Sequence, residues 1–287
     1  IQKIVNKVSS TGGTVLIPKG VYVIDAALGI SLGNKMTIKM EEGAIIKARP
    51  NNLKSYSIFR IINVSNVSIE GGTLIGDRTE HTGQEGEWGM GITLRSASNI
   101  SISKLTVKNT WGDGFYISGE SKNITLCAVT SDGNRRQGIS IISVDGLEIT
   151  RSTFSNTNGK SPQAGLDIEP NKGDTVQNVH ISNSTFMNNR GFGIRLSGPR
   201  RDSNATVKNI RIDAKRITGN RLGGIGVTNL TNSEFTNNTI RENKGRGLYF
   251  DANTFSNRIS GNQLGAHDSI FDAGANIATN NFHTPAW

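Results

Sequence analysis

Seven times along this chain a glycine is followed by an apolar residue, a variable one and a second apolar one. The copies are Gly91-Ile92-Thr93-Leu94, Gly114-Phe115-Tyr116-Ile117, Gly138-Ile139-Ser140-Ile141, Gly165-Leu166-Asp167-Ile168, Gly193-Ile194-Arg195-Leu196, Gly224-Ile225-Gly226-Val227 and Gly247-Leu248-Tyr249-Phe250. Successive glycines lie 23, 24, 27, 28, 31 and 23 residues apart. A period in this range marks stacked units, each too small to bury its own apolar face. A second series opens on Asn: Asn66-Val67-Ser68-Ile69, Asn99-Ile100-Ser101-Ile102, Asn123-Ile124-Thr125-Leu126, Asn178-Val179-His180-Ile181 and Asn209-Ile210-Arg211-Ile212, with Gly146-Leu147-Glu148-Ile149 in the gap. Each unit therefore reads as an Asn-led strand, a short further strand, a turn and the Gly-led strand. Asn and Gly suit the corners because both tolerate left-handed backbone.

The bulk properties agree. Only 34% of the 287 residues are apolar and 34 are Gly, which suits a solenoid whose coils each bury a thin layer. No apolar run approaches the ~18–20 residues that span a bilayer, so no membrane partner is expected. The chain opens mid-pattern at Ile1-Gln2-Lys3, as one trimmed of a leader or upstream domain would. Net charge is +9, which serves solubility or attraction to a polyanion. With no long basic run and no helix-turn-helix, zinc-finger or RNA-binding signature, an acidic polysaccharide is favoured over nucleic acid. Cys127 stands alone in a strand pattern and reads as a small hydrophobe. His81, His180, His267 and His283 are scattered without metal-ligand spacing, and no metal or cofactor is expected.

Residues 1–12 read as a capping helix, with Ile1, Ile4, Val5 and Val8 on one side, and residues 13–287 as the repeat domain. The opening Gly12-Gly13-Thr14-Val15-Leu16-Ile17-Pro18-Lys19-Gly20-Val21-Tyr22, followed by the coils, resembles the right-handed parallel β-helix proteins of the pectate lyase-like superfamily. In style it is nearest the modules of bacteriophage tailspikes and bacterial exopolysaccharide-modifying enzymes. The resemblance implies an all-β fold, a single-stranded right-handed parallel β-helix, with a carbohydrate polymer lying along the outside of its strands. It also implies an extracellular or virion-surface setting and a homotrimer assembled side by side.

The repeat acts as a ruler. In the Gly-led strand the residue after Gly points inward and the next outward, and coils stack about 4.8 Å apart. The first outward column reads Thr93, Tyr116, Ser140, Asp167, Arg195, Gly226, Tyr249. The position before each Gly reads Met90, Asp113, Gln137, Ala164, Phe192, Gly223, Arg246. Asp167 and Glu169 share a face with Cα atoms about 6.6 Å apart. That spacing is compatible with an inverting glycosidase, whose carboxyls stand roughly 6.5–9.5 Å apart. Arg195 stacks beside Asp167 and should keep it ionised, while the strand neighbours of Glu169, Ile142 and Ser197, carry no charge. The expectation is Asp167 as base and Glu169 as acid. Asp113 is either a turn aspartate or a further carboxylate of the cleft, with Tyr116, Arg135 and Arg136 near it.

The insertion from Gly76 to Gly89 breaks the repeat and carries Glu87 and Trp88, and insertions in a solenoid gather where binding happens. Trp88 and Trp111 precede successive Gly-led strands and are expected to be sugar-stacking platforms. Connections from Asn156 to Ala164 and from Ser197 to Lys208 are expected to form the opposite wall, the latter with Arg200 and Arg201. Alginate C-5 epimerases are similar around Gly165-Leu166-Asp167-Ile168-Glu169-Pro170, where that family has its catalytic Asp at the Asp167 position. They have His in place of Glu169 and Tyr in place of Ala164. The paired-Asp motif of polygalacturonases and the calcium-site pattern of pectate lyases are absent. The expected activity is polysaccharide depolymerisation, as a glycoside hydrolase first, with a lyase or uronate epimerase as the alternative. A non-catalytic adhesin is a third reading.

Overall fold

A computed structural model describes residues 1–199 and 203–284. The chain winds through three parallel sheets in turn. The Asn-led sheet has 11 strands, from Gly13–Ile17 to Ala275–Thr279. The short-strand sheet has 11, from Gly20–Ile24 to Phe282–His283, and the Gly-led sheet has 10, from Ile30–Ser31 to Ile270–Asp272. Each strand pairs with the one that follows three elements later, so every coil contributes one strand to each sheet. This is the right-handed parallel β-helix that the family resemblance implied. Ten Gly-led-type strands against seven copies of the motif has a simple cause. Gly29 leads the first strand, and Ile58-Phe59-Arg60-Ile61 and Ser269-Ile270-Phe271-Asp272 fill the motif's place without a glycine.

The leading glycines are set by space, not by left-handed backbone. A Cβ on Gly138 would press on the carbonyl of Gly165, one on Gly165 on that of Gly193, and one on Gly224 on that of Gly247, all inside 3.0 Å. The Asn leads are the left-handed positions: φ is 58° at Asn66, 55° at Asn99, 53° at Asn123, 57° at Asn178 and 53° at Asn209, and Gly146 takes 84° in the same place. Their amides also bond from coil to coil, Asn123 to Asn99 at 3.0 Å and Asn209 to Asn178 at 2.6 Å.

Inside, the residues flanking each outward position are fully buried: Ile92 and Leu94, Phe115 and Ile117, Leu166 and Ile168, Ile194 and Leu196. Phe154 and Phe186, in register on neighbouring coils, stack with centroids 5.2 Å apart. The helix Gln2–Ser9 closes the first coil. Val5 is buried, and the Gln2 side-chain amide donates to Ser31 O at 2.9 Å and accepts from the Ser31 N–H at 2.8 Å.

A buried Asn ladder runs through the turns before the Gly-led strands. Asn220 Oδ1 accepts from the backbone and side-chain N–H groups of Asn189, both at 3.0 Å, while its own amide donates to Phe186 O at 3.1 Å and Asn243 Oδ1 at 3.0 Å. Asn220→Ala strands buried donors and acceptors on two coils at once. It should cost about 2–3 kcal/mol, and thermal melting checks it as a loss of roughly 5–10 °C.

Candidate active site

Strand register builds the outward column as the repeat implied. On the Gly-led sheet Arg60 pairs with Thr93, Thr93 with Tyr116, Tyr116 with Ser140, Ser140 with Asp167, Asp167 with Arg195, Arg195 with Gly226, Gly226 with Tyr249, and Tyr249 with Phe271. The middle of this column holds the ionisable cluster.

Arg136 is its centre. From the turn before Gly138 its guanidinium bonds Asp113 Oδ2 at 3.1 Å, Ser140 Oγ at 3.2 Å and Glu169 Oε1 at 2.7 Å. Ser140 Oγ donates to Asp113 Oδ2 at 2.9 Å. Asp167 Oδ2 accepts from Gln137 Nε2 at 2.8 Å and from Arg195 at 3.3 Å, and Gln137 is itself held by the Ala164 N–H at 2.9 Å. Three carboxyls thus gather around one cation, Asp113 from the coil before Arg136 and Asp167 and Glu169 from the coil after it, and Asp113 and Asp167 each keep a buried Oδ1 without a partner. Among the described residues no group of three or more His, Cys, Asp or Glu is arranged to hold a metal ion; Arg136 stands where a cation would.

The surroundings of the acidic pair differ from those expected. Burial pushes the Asp167 carboxyl up to about 7, helped by the charge of Glu169 and opposed by Arg195, Arg136 and Gln137. Burial likewise lifts Asp113 to about 7, against Arg136 and the Ser140 bond. One cation at 3.3 Å therefore does not outweigh the desolvation of Asp167, whose side chain is fully buried. Glu169, expected to lack a charge partner, is ion-paired, because Arg136 reaches it from a turn and not from a neighbouring strand. Burial works against the charge on Arg136, but Asp113 and Glu169 win, and its affinity for the proton rises. Burial raises the Tyr116 hydroxyl, as do Asp113 and Glu169.

The connections divide differently from expectation. The 76–89 insertion and the 156–164 connection stand on the same side of the sheet and clasp each other: Arg78 donates to Asn158 Oδ1 at 2.6 Å, and Lys160 lies 3.9 Å from Glu87. Trp111 is not a free platform. His81 stacks on it at 3.8 Å and the Arg135 guanidinium lies 3.7 Å from its ring centre, which leaves neither face open. Arg135 also bonds Gly86 O at 2.9 Å, so it fastens the loop and does not join the carboxyl cluster. Beneath that stack lies a group the sequence did not announce. Asp77 is buried between the Tyr56 hydroxyl, at 2.5 Å, and His81 Nδ1, at 2.8 Å. Trp88, by contrast, is 50% exposed.

Two cavities flank the cluster on this face. One of about 440 Å³ is lined by Trp88, Tyr116, Arg60 and Arg95. The other, of about 490 Å³, lies on the far side of Asp167 and is lined by Glu169, Lys172, Arg195 and Ser197. Arg200 and Arg201 lie outside the described residues. Ser140 and Gln137 are site residues that sequence reasoning did not single out, although both stood in its columns.

A family model for the right-handed β-helix region matches residues 8–173 and 173–284. YclG of Bacillus subtilis is 30% identical over 233 residues, 66% of this chain and 40% of that protein, so the chain spans under half of that relative's length. Among solved structures, the A-module of the Azotobacter vinelandii mannuronan C-5 epimerase AlgE4 superposes with a TM-score of 0.74 at 18% identity, covering 99% of this chain and 90% of the other. The tailspike gp49 of Acinetobacter baumannii bacteriophage Fri1, a capsular polysaccharide depolymerase, does so with a TM-score of 0.61 at 15% identity, covering 97% and 59%. With family-model matches along nearly its whole length, the chain belongs to the right-handed β-helix family.

Proposed function

We propose that this protein depolymerises an extracellular or virion-contacted polysaccharide as a glycoside hydrolase. The observation that carries the reading is the pairing of a buried carboxyl pushed up to about 7, Asp167, with an ion-paired carboxylate two residues on, Glu169. Two carboxyls whose environments differ in this way are what acid–base cleavage of a glycosidic bond requires. In this reading Asp167 protonates the leaving oxygen and Glu169, steered by Arg136, activates the water. Asp113 holds the other side of Arg136. Substrate reaches Asp167 by displacing Arg195, whose side chain is 39% exposed and contacts it from the solvent side. The fold likeness to a tailspike described as a capsular polysaccharide depolymerase is consistent with this reading.

A lyase or epimerase is the second reading. It is favoured by the exposed Arg195 and Lys172 beside the carboxyls, which suit a uronate group. It is disfavoured by Tyr116, whose raised hydroxyl makes a poor base near neutral pH. The test is incubation with a panel of capsular and uronic-acid polysaccharides. New reducing ends without ultraviolet-absorbing unsaturated sugar are expected. Unsaturated product would replace the hydrolase with a lyase, and binding without any product would make the chain an adhesin.

A further inference from the structure

Three coils beyond Asp167 the outward column turns aromatic. The steps run Asp167 to Arg195, Arg195 to Gly226, Gly226 to Tyr249 and Tyr249 to Phe271. The rings of Tyr249 and Phe271 stack with centroids 5.5 Å apart and planes 6° from parallel. The Arg246 guanidinium lies 3.6 Å over Phe271. One coil nearer the cluster, the ring of Phe192 lies against bare backbone: a Cβ on Gly226 would sit 2.9 Å from its Cε1, and one on Gly223 2.8 Å from the same atom. The two glycines therefore let an aromatic ring rest on the outside of the sheet, joining the aromatic surface to the coil of Arg195.

The core does not need these rings. It is filled on the inward side by Ile225, Val227, Leu248 and Phe250, all fully buried. Phe271 is 37% exposed, and Phe192 and Tyr249 are half-buried. A cation over stacked, partly exposed aromatics, in line with an ionisable cluster, marks a ligand surface better than it marks packing. The exposed parts of these rings offer apolar surface to a sugar, while the Tyr249 hydroxyl and Arg246 offer polar partners to its substituents.

We propose that Phe192, Tyr249, Phe271 and Arg246 form a distal subsite that takes the apolar face of a sugar ring well along the polymer from the bond acted on at Asp167. The inference rests on the reading of this sheet face as polysaccharide-binding. At about 4.8 Å per coil, Tyr249 lies roughly 14 Å and Phe271 roughly 19 Å along the axis from Asp167. A long polymer seated over the cluster reaches the aromatic shelf and a short oligosaccharide does not. The subsite therefore selects long chains and favours internal bonds over terminal ones.

The test separates binding from cleavage. Asp167→Asn protein is run through gels cast with alginate, polygalacturonate, hyaluronan or a capsular polysaccharide, and its retardation is measured. Adding Tyr249→Ala and Phe271→Ala together is expected to weaken retardation by about tenfold. Tyr249→Phe with Phe271→Tyr is expected to restore most of it, and an unchanged melting temperature shows that the coils still stack. In the otherwise wild-type protein the double alanine variant should lose turnover on polymer and keep it on short oligosaccharides. Retardation equal to that of the parent, or an equal loss on long and short substrates, overturns the subsite. Retardation that depends on the shelf in a protein that never releases reducing ends upholds the subsite and overturns the hydrolase. A parent retarded by none of the polymers overturns both.

Discussion

Asp167→Asn is expected to lower turnover by about 10²–10⁴-fold, the range supplied by a positioned general acid. The change is close to isosteric: the Asn oxygen still accepts from Gln137 and Arg195, so the fold and the neighbouring side chains are preserved. What is lost is the proton. With Asp167 as the proposed general acid, the active form is the protonated one, which burial keeps available up to about pH 7, so turnover should fall as pH rises through that value. The residual activity of the variant should lack this alkaline fall. Stability gives an independent readout. A carboxyl whose pKa is higher folded than unfolded contributes stability that is present in acid and lost as pH rises through the folded value. At pH 8 the ionised, buried Asp167 is therefore a burden, and the Asn variant should melt a few degrees higher than wild type while being far less active. Turnover near wild type on the true substrate would remove Asp167 from the chemistry.

The second large effect belongs to Arg136→Met. The side chain is only 12% exposed and holds Asp113, which is fully buried, together with Glu169. Removing one partner of a buried ion pair leaves an uncompensated charge, at a cost of about 3–5 kcal/mol. Melting should fall by on the order of ten degrees at pH 8. The loss should shrink below pH 6, where Asp113 without its cation is protonated. Adding Asp113→Asn should recover part of the stability at pH 8, because the stranded carboxylate is then gone. It should not recover activity, since Glu169 remains without its anchor. Equal melting of the single and double variants would show that the Arg136–Asp113 pair carries no stability of its own.

The outward column was legible in the sequence because the leading glycine indexes every coil, and a one-residue slip between coils would turn Ile and Leu outward. Asp167 beside Arg195 followed directly. The contacts of Arg136 did not, because a long side chain reaching out of a turn obeys no period. The same holds for Trp111, whose ring is enclosed by His81 from an insertion and Arg135 from the next coil. The raised carboxyl of Asp167 was hidden for a different reason. Spacing reveals the charge that stands beside a carboxyl, but not how much water has been removed from it, and here desolvation is the larger effect. Gln137 and Asp113 stood together in the column preceding the glycines, and that shared register was the available signal for both.

The coil-to-coil register of the Gly-led sheet makes spacing within the site discrete. Backbone positions of groups on different coils can stand one, two or three strand separations apart, never an intermediate distance, because the ladders and the leading glycines hold the pitch. Fine adjustment is left to side-chain length alone: Asp against Glu, Ser against Thr, Lys against Arg. Changing what the site accommodates should therefore proceed by exchanging side chains of different reach at fixed rungs and by rebuilding the turns, while the rungs stay where they are.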